Sequence, residues 1–215
     1  MSLLAGLNAG APLSHALNEV YMYQVVGVLL AAGRGLRFDP EGRRDKLLAK
    51  LDAGRTVLHQ SALHLQHWVD RLVVVTRPGR SATLQSACPG LDAVWVEAPD
   101  ADLGMGASLK AAVLALAPPQ HGWMIGLADM PWILPQTYQQ VRAVLEQGVD
   151  VVRPVHGGQP GHPVGCASSL LDCIISMPID AGLGPMFRQP GRDIQALDVT
   201  DPGCTRDVDF PADLD

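Results

Sequence analysis

The stretch VVGVLLAAGRGLRFDPEGRRDK, Val25 to Lys46, decides how the rest of the chain is read. It opens with a run of apolar residues, Val25 to Leu30, of the length and composition of a strand buried on both faces. At Ala31-Ala32-Gly33 the run breaks into a loop with two more glycines, Gly35 and Gly42, and five cations, Arg34, Arg37, Arg43, Arg44 and Lys46. A buried strand emptying into such a loop gathers backbone N–H groups and positive charge, which is what phosphate oxygens require. An ordinary charged loop on a solvated face has the same composition. Two known phosphate loops are excluded. A dinucleotide fingerprint needs a third glycine where Phe38 stands, and a P-loop needs Gly-Lys-Ser/Thr, whereas Lys46 lies between Asp45 and Leu47.

With 215 residues, 47% of them hydrophobic, the chain suits one α/β domain better than two. A net charge of −6 argues against nucleic acid or an anionic membrane surface as the main partner. It also makes the loop stand out, because five of the 16 Lys and Arg fall within Arg34–Lys46. Cys88, Cys166, Cys173 and Cys204 form no C-x-x-C pair, so reduced thiols and a cytoplasmic location are expected. No apolar run has membrane-spanning length, and the first twenty residues carry no Lys or Arg and make no signal-peptide n-region. Residues 1–20 are expected to be a loosely ordered or docked tail, with the domain over 21–215.

Outward from the opening stretch, Thr56 is an N-cap for a helix to about Trp68, and Arg71–Thr76 is a second buried strand. A short helix over Ala82–Ala87 and a strand at Ala93–Glu97 follow. Gly104-Met-Gly-Ala-Ser108 then leads into a helix over Ala107–Ala117, and Trp123–Ala128 is a fourth buried strand ending at Asp129. A helix over Gln136–Gln147, a strand at Val149–Pro154, a tight loop at Gly157–Pro163 and strand-like Val164–Ala167 come next. A helix at Ser168–Met177 and a strand at Asp193–Val199 complete the pattern. Strands alternating with helices predict a single-domain, Rossmann-like three-layer sandwich, a mostly parallel sheet with helices on both faces. Right-handed crossovers then gather Gly33, Thr76, Gly104–Ser108 and Asp129 along one sheet edge.

Asp129 is a rigidly placed hard oxygen donor, suited to Mg²⁺, or else an N-cap for the helix that follows. Asp207 and Asp209 alternate as on a strand, so at most one reaches the same metal; both also fit plain surface acidity. His162, between Gly161 and Pro163, is either a substrate contact or a turn residue, and His59, His64 and His67 read as surface or packing residues. Neither a Ser-His-Asp nor a zinc-spaced cluster appears. That suits a phosphate monoester acceptor, already an anion near neutral pH and in need of no general base.

Together, Leu30-Ala-Ala-Gly33 with Arg37 and Lys46, Gly104-Met-Gly-Ala-Ser-Leu109, Leu127-Ala-Asp-Met-Pro131, Gly161-His-Pro163 and Asp207–Leu214 resemble the molybdenum cofactor cytidylyltransferase family, in the MobA/MocA-like nucleotidyltransferase superfamily. The resemblance implies transfer of a cytidylyl group from CTP to molybdopterin, with pyrophosphate released. By position it gives Arg37, Lys46 and Asp129 catalytic roles and assigns Mg²⁺ to Asp129 and Asp209. It places Ala31, Ala32, Gly33, Arg34, Gly35, Thr76, Gly104, Gly106 and Ser108 around the nucleotide, and Gly161, His162 and Pro163 toward the acceptor. Ala32, where guanylyl-transferring relatives commonly have glycine, favours CTP over GTP. The implied partners are the two substrates and a molybdoenzyme or its chaperone. The chain departs from the family in a longer Phe38–Asp45 spacer, where Arg43 and Arg44 would share the phosphate work, and in Gly184, where a basic residue is common. GTP, another small phosphorylated acceptor, or a nucleotide-binding accessory protein without turnover are the alternatives.

Overall fold

In the computed structural model residues 23–184 and 186–214 are described, so the expected tail at 1–20 lies outside the described residues. The elements run β1 (Val25–Leu30), α1 (Val57–Gln66), β2 (Arg71–Thr76), α2 (Ser81–Ser86), β3 (Val94–Glu97), α3 (Met105–Val113) and β4 (Gly122–Leu127). They continue with α4 (Pro135–Leu145), β5 (Val151–His156), β6 (Gln159–Pro160), β7 (Val164–Ala167), α5 (Leu171–Ser176) and β8 (Ile194–Asp198). The eight strands form one sheet, ordered β3-β2-β1-β4-β7-β5-β6, with β8 also on β5. Pairing is parallel from β3 through β4 and between β5 and β8; β7 is antiparallel to both its neighbours.

Period-two alternation splits the apolar strand residues between two cores. Val25, Leu29, Leu72, Val74 and Met124 face α1 and α4, packing on Leu58, Leu65, Val141 and Leu145. Val26, Val28, Val73, Val75, Trp123 and Ile125 face α3 and α5, against Leu109, Ala112 and Ile174. Both faces are therefore covered by helices, which is why β1 and β2 read as unbroken apolar runs. All five helices differ from the expected limits by a few residues: the helix after Gly104 spans Met105–Val113, α1 stops at Gln66, α2 spans Ser81–Ser86, α4 spans Pro135–Leu145 and α5 spans Leu171–Ser176.

Two local findings revise the reading of the chain's last third. Because β8 lies along one edge of β5, β6 and β7 share the other, and Gly161-His162-Pro163 interrupts that edge between them. The Asp207–Asp209 segment is irregular backbone, not a strand. It is held by the Val208 N–H donating to the Asp129 carbonyl at 2.9 Å and by the fully buried Val208 side chain, which packs with Phe38 and Val57.

Buried Asp201 ties this segment to α4. It accepts from the Leu134 N–H at 2.8 Å, the Thr137 hydroxyl at 2.6 Å and the Gly203 N–H at 2.8 Å. Asp201→Ala strands three donors, and it is expected to cost roughly 3 kcal/mol. The measurement is a lower urea midpoint at unchanged slope; an unmoved midpoint would dismiss the role.

Candidate active site

β1 has β2 on one side and β4 on the other, with Leu30 in register with Leu127 at the two strand ends. From these adjacent ends the chain departs in opposite directions along the sheet, β1 toward β2 and β4 toward β5, and such a switch point opens a crevice. A cleft of about 280 Å³ lies there, walled by Leu30–Gly33, Lys46 and Leu47, by Ala101, Gly104, Met105 and Ser108, and by Leu127 and Asp129. Of the residues assigned to the nucleotide, Ala31, Ala32, Gly33, Gly104 and Ser108 line it.

Gly35 takes a left-handed φ of +63° and turns the loop back onto the Lys46 stem. The Lys46 ammonium donates to Asp129 Oδ2 at 2.6 Å and to the Val208 carbonyl at 3.0 Å, and it stands 3.5 Å from Asp209 Oδ1. Arg37 pairs with the other oxygen of Asp209 at 2.5 Å. The side chains of Lys46, Asp129 and Asp209 are only 11%, 20% and 25% exposed, so water screens these charges weakly. Asp129 is not the N-cap of α4, because Leu134 holds that position and Asp201 takes its N–H. Its carboxylate is thereby left for the cleft.

Three carboxylates, Asp129, Asp207 and Asp209, meet two cations, Lys46 and Arg37. Burial first, then the charges of Asp209 and Asp129, raise the Asp207 carboxyl from its ordinary pKa. A surplus of hard anionic oxygen fits a divalent cation. Among the described residues no three such ligands converge on one point. Two carboxylates, with water and phosphate oxygens completing the shell, is the pattern that suits Mg²⁺ or Mn²⁺.

Several assignments are corrected. Thr76 is fully buried with its hydroxyl 2.7 Å from that of Ser81, so it lies beneath the sheet edge and away from the cleft. Gly104, at φ +147°, and Gly106 press against the 178–181 backbone, where a Cβ would meet atoms at 2.5 Å; Gly106 packs and does not line the cleft. Arg34 also stands off the lining and makes a two-pronged pair with Asp102, at 2.6 and 2.8 Å. Arg43 bonds Glu41 and Arg44 lies by Asp39 and over Phe38, so the longer spacer packs on itself. All five loop cations have a carboxylate neighbour, so the loop is not the open positive cradle its composition suggests.

Of the three acceptor-side residues only His162 reaches a cavity. Gly161 and Pro163 are buried, with the Gly161 N–H bonded to the Pro154 carbonyl at 2.8 Å. Sequence reasoning missed Leu30, Leu127 and Met105 as walls. The first two sit at strand ends that a switch point would mark, and Met105 lies between two glycines already singled out.

An α/β sheet with a cleft at its switch point, walled by a glycine turn and carrying a Lys–Asp–Asp cluster, defines a nucleotide-handling domain of the nucleotidyltransferase class. The profile of the MobA-like NTP transferase domain matches residues 27–194, and the chain belongs to that family. It is 32% identical over 139 residues to the bifunctional protein GlmU of Azorhizobium caulinodans, a match covering 64% of this chain and 30% of that protein. The chain thus spans under a third of that relative. Rv0371c of Mycobacterium tuberculosis H37Rv is similar at 25% identity and TM-score 0.72, covering 88% of this chain and 95% of that one. The same protein complexed with manganese gives a TM-score of 0.69, again at 25% identity, 88% and 95%. Molybdopterin-guanine dinucleotide biosynthesis protein A of Archaeoglobus fulgidus, at 19% identity, TM-score 0.63 and coverage of 88% and 94%, shares the fold.

Burial lowers the His162 imidazole to about 4 from its ordinary 6.5, so the ring is neutral at pH 7. Between those values the unfolded chain binds a proton that the folded chain refuses. Stability therefore falls as pH drops through this window, by up to about 1.4 kcal/mol per pH unit. Urea unfolding across pH 4–7 should show a shallower dependence in His162→Gln than in the wild type; identical slopes would refute a ring held neutral.

Proposed function

We propose that this protein transfers a cytidylyl group from CTP to a phosphate monoester, molybdopterin being the acceptor implied by the sequence resemblance. The observation that carries the reading is the convergence of Lys46, Asp129 and Asp209 beside the glycine-turn cleft. Three segments far apart in sequence supply these groups, and an ordinary surface loop has no reason to bring them together. In the reaction an acceptor phosphate oxygen attacks the α-phosphorus of CTP. A new P–O bond forms as the bond to pyrophosphate breaks, and no proton need be removed from a monoester dianion.

Bound to Asp129 and Asp209, a divalent cation, Mg²⁺ in this reading, would neutralise both carboxylates and polarise phosphate oxygens. Lys46 and Arg37 then exchange their carboxylate partners for triphosphate oxygens and stabilise the charge on departing pyrophosphate. The Ala31–Gly33 backbone contacts the nucleotide, and Gly104 and Ser108 border it from α3. Ala32, where guanylyl-transferring relatives commonly have glycine, favours CTP over GTP. His162 faces the acceptor side, and a molybdoenzyme or its chaperone would receive the product.

Calorimetric titration with CTP and with GTP, each with and without Mg²⁺, tests the nucleotide. CTP is expected to bind in a Mg²⁺-dependent way; tight GTP binding without a CTP response would overturn the assignment. Asp129→Asn is expected to lower pyrophosphate release by roughly a hundredfold or more while leaving the circular dichroism spectrum unchanged. Full turnover in that variant would remove Asp129 from the chemistry.

A further inference from the structure

A second cavity, of about 290 Å³, adjoins the cleft and shares Leu30 and Met105 with it. Its walls are mainly apolar: Leu109, Ile125, Val164, Leu183 and Phe187. Among them stands Arg153. On β5 this residue shares the face of Val151, which belongs to the apolar core against α3 and α5, so a cation occupies a position the strand's own pattern gives to an apolar side chain.

Arg153 has no carboxylate partner among the described residues, and its buried Nε has no hydrogen-bond acceptor. Its guanidinium lies 4.6 Å from the Phe187 ring centroid, a contact that offsets only part of the cost of burying an unpaired cation. Burial lowers its pKa from the ordinary arginine value. The exposed guanidinium of Arg188 comes within 3.8 Å of where a Gly184 side chain would begin, at the cavity's rim, and adds positive potential there. His162, the other titratable group on the lining, is neutral at pH 7. No lining residue is acidic.

We infer that this second cavity seats the acceptor, with the Arg153 guanidinium receiving an anionic oxygen carried on an apolar, ring-sized body. The inference rests on the transferase reading above for the word acceptor, but the recognition itself rests on the cavity. Arginine's planar fork suits phosphate or carboxylate equally, so the two sources are separated by experiment.

The full chain is titrated calorimetrically with phenyl phosphate, benzoate and phenol. Phenyl phosphate should bind, phenol should not, and Arg153→Gln should weaken phenyl phosphate roughly tenfold, as expected for loss of a charge-assisted hydrogen bond. CTP affinity should not change in that variant. Benzoate binding as tightly as phenyl phosphate, and equally sensitive to Arg153→Gln, would support the site and assign it to a carboxylate. Absent phenyl phosphate binding, or binding indifferent to Arg153→Gln, would overturn the proposal. So would a loss of CTP affinity in Arg153→Gln with phenyl phosphate unaffected, which would give the cation to the nucleotide. Should Arg153→Gln fail to fold, Arg153→Lys and the exposed Arg188→Gln carry the test, each expected to weaken phenyl phosphate and neither to weaken CTP. Wild-type protein that binds phenyl phosphate but no nucleotide would sink the cytidylyl reading and leave this one standing.

Discussion

One ammonium group holds the site together. Lys46 reaches Asp129 across 83 residues of sequence and the Val208 carbonyl across 162, joining the loop after β1, the end of β4 and the C-terminal segment. Largely shielded from water, it sets the distance between two carboxylates that would otherwise repel one another. The backbone does the rest. The Val208 N–H on the Asp129 carbonyl fixes the last segment in place, and the buried Val208 side chain prevents it from sliding. Asp209 is therefore presented by irregular chain as firmly as Asp129 is presented by a strand.

That clasp also changes how the basic loop is understood. Every one of its cations faces a carboxylate, so positive charge is held in pairs, most of them at the solvent surface. The exposed pairs, Arg34 with Asp102 and Arg43 with Glu41, contribute little to stability, because exposed ion pairs are weak. The Lys46 pair with Asp129 differs in consequence, because both side chains are largely shielded from water. The protein is thus acidic overall, with five of its 16 Lys and Arg gathered in one loop.

The two cavities differ in chemistry as they do in position. The cleft at the β1–β4 switch point mixes glycine and small residues with Leu30, Leu47, Met105 and Leu127 and carries Lys46 and Asp129, while its neighbour is apolar with an arginine set into one wall. Antiparallel β7, inserted between β4 and β5, places Val164 on the second cavity, the segment just before it brings His162, and β5 carries Arg153 to the same place.

By itself the sequence determined the sandwich, because apolar runs of strand length between amphipathic helices have only one compact way to bury both faces. It also marked Lys46, Asp129 and the glycine turns, whose residue types stand out against their neighbours. Tertiary structure alone decided which of these groups meet. Thr76 looked placed for a ligand because it ends a strand, yet its hydroxyl turns to Ser81 below the surface. Arg153 looked like one charge in a strand, and only the approach of β7, α3 and Phe187 shows it half-buried, with its Nε lacking an acceptor. Local pattern reports which face a residue occupies; partners across long loops depend on strand order and register, which no local pattern encodes.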